Sequence, residues 1–201
     1  MVRRHGWAGS PPADEYEARS RIVETAMRCV DQYGPDRLTL SEVATQLGVT
    51  RSTVYRYYAG IDDLLWAVGA IAAEGFLEEL TEHLNGIQHP TEWVVEALAS
   101  AIELLPKRPY LTLLLAAGRA ETFARGVTSP LSMGMGRELF KRSPPDWVAA
   151  GFDSGELDEL IELTLRIFQS MVISPPDPPR TGAELRSYLR RWVAPVIAPA
   201  P

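Results

Sequence analysis

Apolar residues recur every three or four positions along most of the chain, and glycine or proline interrupts each run. The first run predicts a helix from about Tyr16 to Tyr33. Between Leu38 and Leu65 the pattern shortens to two small helices around Gly48 and the start of another. The sequence has no alternating apolar run flanked by a hairpin turn, so the pattern predicts an all-α protein.

The two small helices carry start and stop signals. Thr39 stands three residues before Glu42, which predicts a reciprocal N-terminal cap in which a hydroxyl and a carboxylate each accept a free backbone N–H. Gly48 follows the first helix, where glycine adopts the left-handed conformation at little cost. Thr50 is placed to cap the second helix. We therefore expect two capped helices around a tight turn.

The second of these helices carries the candidate chemistry. Val54 and Tyr58 are four residues apart and share a face, which we expect to pack on the first helix. The other side chains point outward; arginine can bind guanine O6 and N7 together, and hydroxyl groups can contact bases or phosphates. The predicted DNA-binding residues are Thr39, Thr50, Arg51, Ser52, Thr53, Tyr55, Arg56 and Tyr57. The alternative is an ordinary helical hairpin with a solvated polar face.

The run from Ile22 to Leu65 resembles the DNA-binding domain of TetR-type transcriptional regulators through the segments IVETAMRCVDQYG, LTLSEVATQLGVT, TVYRYY and DDLL. The resemblance implies that Tyr55 contacts phosphate and that the other outward residues of its helix face DNA. Two residues depart from the family pattern: Tyr58 replaces the usual Phe, and Ile61 replaces a usual Lys that touches the DNA backbone. The second departure implies one phosphate contact fewer, and so a shallower dependence of DNA affinity on salt.

The remainder of the chain also reads as helices. A fourth helix is predicted from about Ile61 to about Leu84, and later ones open at Pro90, Pro109 and the Ser129–Pro130 pair. We divide the chain into a flexible N-terminal arm (1–15), a three-helix helix-turn-helix DNA-binding domain (16–65) and a helical effector-binding and dimerisation domain (66–201).

Two long helices are predicted at the end, over about 155–173 and from Thr181 to about Val196, the second opened by a cap between Thr181 and Glu184. Their apolar residues cover more than one face, which fits half of a four-helix interface between two copies. TetR-like proteins dimerise through their last two long helices, so the resemblance implies the same. The predicted interface residues are Leu160, Thr164, Ile167, Phe168, Met171, Leu185, Tyr188, Leu189 and Trp192. The alternative is a monomeric bundle with a thick core.

The resemblance further implies that the larger domain binds a small-molecule effector. Aromatic and thioether side chains line apolar pockets of this kind. The candidates are Trp93, Tyr110, Phe123, Met133, Met135, Trp147 and Phe168, and Arg119 and Arg125 are candidate partners of an anionic ligand. For each aromatic or methionine residue the alternative is plain core, and for the two arginines it is solvated surface.

Charge and composition narrow the possible location and partners of the protein. The 201 residues are 46% hydrophobic and 23% charged, with a net charge of −6. Residues 1–60 hold 8 basic and 7 acidic residues (net +1), and residues 61–201 hold 12 and 19 (net −7), so the acid lies away from the predicted DNA surface. The single cysteine, the lack of a secretory signal and the lack of an apolar run of roughly 18 residues predict a cytoplasmic protein without a membrane partner.

Signals for enzymatic chemistry are missing. His5, His83 and His89 are scattered, and the sequence has neither a phosphate-binding loop nor a nucleophile elbow, so we expect no metal, cofactor or catalytic residue. The sequence predicts a dimeric, ligand-responsive transcriptional regulator, a repressor that a small molecule releases from a pseudo-palindromic double-stranded operator. The departure at Ile61 and the weak basic charge leave an alternative, a helical protein that binds small molecules or partners through a degenerate helix-turn-helix.

Overall fold

The computed structural model describes residues 6–34, 37–113, 126 and 128–197. Every regular element within these ranges is a helix, so the predicted all-α class is confirmed there. The chain divides into two compact units, Met1–Ala72 and Ala73–Pro201. The division falls inside the helix that runs from Ile61 to Leu84, a few residues beyond the domain boundary proposed from the sequence.

The N-terminal unit is built from short helices. They are α1 (Glu15–Tyr33), α2 (Leu40–Leu47), α3 (Arg51–Tyr57) and the first part of α4 (Ile61–Leu84), and a single 3-10 turn at Trp7–Gly9 precedes them. Helices α1, α2 and α3 pack on one another. Their apolar stripes meet in a core that includes Ile22, Val23, Ala26, Val43, Leu47, Val54 and Leu64. The spacing of apolar residues predicts these helices to within a residue or two.

Helix α2 has half of the predicted cap. Thr39 Oγ1 accepts the amide of Glu42 at 3.1 Å, but the Glu42 carboxylate accepts a hydrogen bond from Gln46 Nε2 at 3.0 Å. The reciprocal half of the prediction is wrong, because the carboxylate finds its partner one turn further along the same helix. Gly48 ends α2 with φ of 66°, the left-handed conformation that the sequence predicts.

The C-terminal unit is organised around one central helix. After the rest of α4 it contains α5 (Pro90–Leu104), a 3-10 turn (Leu105–Lys107), α6 (Pro109–Thr112), α7 (Pro130–Lys141), α8 (Ser154–Ile173), α9 (Gly182–Trp192) and α10 (Ala194–Ile197). Helix α5 contacts α8, α9 and α10, and α7 packs on α8. Buried side chains on α5 include Trp93, Val94 and Leu98, so this helix forms the middle of the unit.

The ends of the last two long helices differ from the prediction. Asp153 and Glu156 form a reciprocal cap at the start of α8 that is not among the predicted caps. At the start of α9 the Thr181 side chain makes no cap; Glu103 Oε1 of α5 accepts the Gly182 amide at 2.5 Å instead. The cap predicted at Thr181 is therefore wrong, because a carboxylate from another helix satisfies the free N–H.

Candidate nucleic-acid interface

Helix α3 presents four rows of side chains, each made of two residues four positions apart. The row of Val54 and Tyr58 is buried in the N-terminal unit, as predicted. The other three rows pair Arg51 with Tyr55, Ser52 with Arg56, and Thr53 with Tyr57. At 100° per residue, the row of Ser52 and Arg56 lies opposite the buried row, and the other two flank it. All three rows are exposed or half-exposed.

Two arginines of α3 are held by tyrosines of the same helix. Arg51 Nη2 donates to the Tyr55 hydroxyl at 2.6 Å, and its guanidinium lies 4.9 Å from that ring's centroid. Arg56 Nη2 donates to the Tyr57 hydroxyl at 2.9 Å, and the Arg56 guanidinium lies 4.9 Å from the centroid of the Tyr57 ring. Stacking restricts the rotamers of a long side chain and leaves most of the guanidinium N–H groups to bind elsewhere. The surface therefore offers two preoriented cations.

Hydroxyl groups surround the start of α3. Thr50 Oγ1 lies 2.8 Å from Ser52 Oγ and 2.9 Å from Thr53 Oγ1, and it accepts the Thr53 amide at 3.3 Å. The predicted cap by Thr50 is confirmed. A helix N-terminus carries partial positive charge, and with these hydroxyl groups it forms a surface suited to phosphate oxygens.

Helix α1 fixes the end of α3. Arg19 Nη1 donates to the Tyr57 carbonyl at 2.7 Å, and the Arg19 guanidinium lies 5.3 Å from the Tyr58 ring. The Tyr58 hydroxyl donates to the Arg19 carbonyl at 3.4 Å. Burial raises the pKa of Tyr58, so this residue stays neutral in the core. A tyrosine is accommodated at this position because its hydroxyl finds a backbone partner.

The segment before α1 also contacts this surface, which the sequence gives no signal for. The Trp7 and Tyr57 rings meet edge to face, with centroids 6.2 Å apart. Arg21 Nη1 donates to the Ser10 carbonyl at 2.5 Å. Trp7 and Ser10 of the arm that we expect to be flexible thus contact α3 and α1, while the arginines at the start of the arm, Arg3 and Arg4, fall outside the described residues.

Two other residues named from the sequence lie outside α3, at the starts of its neighbouring helices in the chain. Thr39 is exposed at the start of α2, where its hydroxyl serves as the cap. Ile61 is half-buried at the first position of α4 and offers no charge there.

The effector candidates scatter over the C-terminal unit. Trp93 and Trp147 are buried with Phe140 in one aromatic cluster, in which ring centroids lie 4.8 to 5.6 Å apart. Met133 and Phe168 pack on the core from half-buried positions. Tyr110 and Met135 are half-buried as well, whereas Phe123, Arg119 and Arg125 lie outside the described residues.

The two buried tryptophans of the cluster differ in their hydrogen bonding. Trp147 Nε1 donates to Ser143 Oγ at 2.7 Å. Trp93 is 1% exposed, and its Nε1–H finds no acceptor among the residues that the structure describes. A buried donor without a partner costs free energy, so this position favours an additional acceptor.

The residues proposed for a dimer interface separate into two groups. Leu160, Leu185 and Leu189 are buried in the core of their own unit, where they pack around α5. Assigning these three to a surface between copies is wrong, because their side chains are already covered within one chain. Trp192 is 64% exposed, and the remaining residues, Thr164, Ile167, Phe168, Met171 and Tyr188, are half-buried.

The described part of the chain holds neither a metal-binding cluster nor a membrane-spanning helix. No group of three or more His, Cys, Asp or Glu residues is arranged there to hold a metal ion. None of the helices described is long and apolar enough to cross a membrane.

Comparison with known proteins agrees with the geometry of α3. Residues 22–68 match the family model described as "Bacterial regulatory proteins, tetR family". The chain is 30% identical over 110 residues to the HTH-type transcriptional regulator TtgW of Pseudomonas putida, a match that covers 55% of this chain and 81% of TtgW. Regulators of Mycobacterium tuberculosis and Mycobacterium bovis are 49% identical over 43 residues, and the chain spans only 23% of their length.

Two solved structures share the fold across both units. The TetR family repressor AlkX of Dietzia sp. superposes with a TM-score of 0.62 at 18% identity, over 92% of this chain and 97% of AlkX. FadR of Thermus thermophilus, a TetR family repressor solved with lauroyl-CoA, superposes with a TM-score of 0.54 at 20% identity, over 91% of this chain and 98% of FadR.

Proposed function

Because the chain belongs to the tetR family of bacterial regulatory proteins and is a DNA-binding transcriptional regulator, we propose that it acts as a dimeric repressor which a small molecule releases from a pseudo-palindromic operator. The observation that carries the proposal is the set of three outward rows on α3, with two arginines held over tyrosine rings. Arg51, Ser52, Tyr55 and Arg56 are exposed rather than packed in the core, and a polar and aromatic face of this kind matches the donors that DNA recognition requires.

The three rows divide the work of recognition. The row of Ser52 and Arg56 points away from the core, so in a major groove it faces the base edges. The flanking rows then face the two groove walls, where Arg51 and Tyr55 on one side, and Thr53 with Tyr57 on the other, meet phosphates. The hydroxyl groups of Thr50, Ser52 and Thr53 add hydrogen-bond donors for phosphate oxygens at the N-terminus of the helix.

The shortness of α3 is the reason for proposing that the protein binds DNA as a dimer. One seven-residue helix makes few contacts, and an N-terminal region with a net charge of only +1 adds little general attraction to DNA. Two copies whose recognition helices lie about 34–36 Å apart engage successive major grooves and double the contacts. The exposed Trp192 and the half-buried row of Thr164, Ile167 and Met171 are the apolar surfaces available for pairing.

Release by an effector is a population shift. A small molecule that binds better to the spacing that no longer fits DNA draws the dimer off its operator. The Trp93 N–H, which has no acceptor within the described ranges, supports an effector with a hydrogen-bond acceptor, placed against the aromatic cluster of the C-terminal unit. The lauroyl-CoA complex of FadR supports the same view, since a protein of this fold takes a ligand.

The assignment of α3 is tested by fluorescence anisotropy on an operator duplex that the wild-type protein selects from a random-sequence library. Arg51→Ala and Tyr55→Ala are each expected to weaken binding about tenfold or more. Light scattering should show the same oligomeric state as wild type. Arg142→Ala is the charge-matched control, because Arg142 pairs locally with Glu138 on α7 of the other unit. Wild-type affinity in both α3 variants contradicts the assignment.

Repression and release are tested in cells with a reporter gene placed behind the selected operator. The wild-type chain should lower expression, and Arg51→Ala should restore it. A library of small molecules screened for recovery of expression would identify the effector, and Trp93→Phe should then weaken the response to it while leaving operator affinity unchanged. Higher expression in the presence of the wild-type chain would make it an activator.

A further inference from the structure

The segment before α1 runs along one edge of the recognition helix. Thr53 and Tyr57 are four positions apart on α3 and define that edge, and Val49 lies in the turn just before the helix. At one end, a Cβ placed on Gly6 would lie 3.4 Å from Val49 Cγ1, so Gly6 lies against the turn between α2 and α3. At the other end, the Trp7 ring meets the Tyr57 ring edge-on at an interplanar angle of 80°.

The backbone at Trp7 indicates that this position is held by its contacts. Trp7 has φ of 64°, a left-handed conformation that residues with a bulky side chain rarely adopt. Such a conformation persists only where surrounding contacts over-determine it. On the C-terminal side, the Ser10 carbonyl accepts a hydrogen bond from Arg21 of α1 and ties the segment down. The ring contact with Tyr57 ties it on the other side.

Tyr57 connects this segment to the outward face of α3. The Tyr57 ring contacts the Trp7 ring edge to face. The Arg56 guanidinium lies over the same Tyr57 ring, and its Nη2 donates to the Tyr57 hydroxyl. The backbone of Tyr57 is held separately, because Arg19 binds its carbonyl. The side-chain rotamer of Tyr57 therefore depends on Trp7, and the direction of Arg56 depends on Tyr57.

We propose that Trp7 is a positioning residue for DNA recognition, which holds the Tyr57 ring at the edge of α3 and thereby aims the Arg56 guanidinium at the base edges. The proposal rests on the proposed function of α3. It assigns to Trp7 no contact with DNA; the effect passes through Tyr57 to Arg56. An aromatic pair of this geometry is worth enough to hold one rotamer against its alternatives.

A double-mutant cycle tests the proposal by fluorescence anisotropy with the selected operator duplex and a scrambled duplex of the same length. Trp7→Ala is expected to weaken operator binding about threefold to tenfold, and to weaken binding to the scrambled duplex much less. Trp7→Phe, which keeps an aromatic edge, should restore most of the affinity. In a Tyr57→Ala background the same Trp7→Ala change should have no further effect, because its only route has been removed.

A deletion separates this role from a simple tether for the basic residues at the start of the chain. In a chain lacking residues 2–5, which removes Arg3 and Arg4, the effect of Trp7→Ala should persist at the same size. Loss of the effect in that chain would mean that Trp7 only anchors the arginines, and would overturn the proposal. Wild-type affinity in Trp7→Ala, or an undiminished loss in the Tyr57→Ala background, would overturn it as well.

Failure of the proposed function gives a different result. Arg51→Ala lies on the opposite flank of α3 and serves as the reference. If Arg51→Ala weakens binding and Trp7→Ala does not, only the role of Trp7 is refuted. If neither variant changes the affinity, the assignment of α3 to DNA falls and the role of Trp7 falls with it.

Discussion

At the scale of single residues, two glycines of α7 that lie two positions apart have different surroundings. A Cβ placed on Gly136 would lie 2.5 Å from Ile161 Cγ2 of α8, whereas one on Gly134 would meet nothing within 4 Å. Ile161 is fully buried, and its Cγ2 is fixed to the β-carbon, so it cannot move aside. The short G-x-G run predicts a close approach of helices, and that approach exists at Gly136 alone.

Alanine at these two positions should act in opposite directions. Gly136→Ala is expected to lower the free energy of unfolding by about 1–3 kcal/mol through overpacking against Ile161. Gly134→Ala should raise it by about 0.5–1 kcal/mol, because alanine is the better helix former in open space. Urea unfolding of both variants measures this, and equal losses would mean that α7 and α8 do not approach as described.

Ile61 is a second residue whose effect can be isolated. Ile61→Lys would place a cation at the first position of α4, where the resemblance to TetR-type regulators implies a lysine that contacts phosphate. Operator affinity should rise at low salt, and the slope of log Kobs against log salt should steepen by about 0.9, the value for one added phosphate contact. Ile71→Lys makes the same change at an exposed position further along α4 and should leave the slope much nearer that of wild type.

At the scale of elements, ion pairs join α9 to α5. Arg186 binds Glu96 at 2.5 Å and Glu103 at 3.1 Å, and Arg190 binds Glu92 at 2.9 Å. The Arg186 pairs are about three-quarters shielded from solvent, whereas the pair of Arg190 with Glu92 is nearly half exposed. Hydrogen bonding to Arg186 lowers the pKa of Glu96, and the pairing raises the pKa of Arg186. Removing one partner of a shielded ion pair lowers the free energy of unfolding more than removing one of an exposed pair, since the remaining carboxylates stay partly desolvated.

Removing Arg186 should therefore destabilise the C-terminal unit in a pH-dependent way. Arg186→Ala is expected to cost about 1–2 kcal/mol near neutral pH. The pKa of Glu96 in the folded protein lies below its ordinary value of 4.5, so its contribution is present above that pH and is lost as the pH falls through the folded pKa. Urea unfolding at about pH 7 and about pH 3.5 should thus show a smaller difference at the lower pH.

Arg166→Ala is the matched control for this measurement. Arg166 pairs with Glu162 on the exposed side of α8, one turn apart, and such pairs contribute only about 0.3–0.5 kcal/mol. A loss in Arg186→Ala that is no larger than in Arg166→Ala would contradict the importance of the pairs between α5 and α9.

At the scale of the whole molecule, the proposed dimer should depend on Trp192. This side chain is 64% exposed at the end of α9, an unusual place for a large apolar group on a protein surface. Trp192→Glu should weaken self-association by about a hundredfold, because a carboxylate would have to be desolvated in the interface. Light scattering over a range of protein concentrations measures the change, and operator affinity should fall with it.

Val148→Glu provides the comparison. Val148 is 81% exposed in the loop between α7 and α8, so Val148→Glu also replaces an exposed apolar side chain with a carboxylate, but outside α8 and α9. Its dimer should be as stable as that of wild type. A wild-type chain that stays monomeric at high concentration would refute the dimer, and an unchanged Trp192→Glu dimer would remove α9 from the interface.

Much of the candidate surface on α3 can be predicted from the sequence because its signals are local. Cap residues, the left-handed glycine and the four-residue spacing all act within one or two turns of helix, so Thr50, Gly48 and Val54 predict their own roles. The Arg–Tyr pairs on α3 are local as well, since the partners are one or four positions apart.

The sequence does not predict hydrogen bonds and ring contacts whose partner comes from far along the chain. Glu103 takes the amide that Thr181 is expected to cap, and Trp7 reaches Tyr57 across about 50 positions. Leu160, Leu185 and Leu189 belong to apolar stripes that look the same in sequence whether they pack in a core or in an interface. Only the packing of the folded chain shows that these three side chains are covered within one protomer.

By itself, then, the sequence determined the helices, the turn between α2 and α3, and which side chains α3 turns outward, because each follows from interactions within a few residues. The tertiary structure decided which apolar faces are already filled, which carboxylates cap and pair with distant helices, and where the segment before α1 lies. Those outcomes depend on groups brought together by folding, and no spacing along the chain encodes their distances.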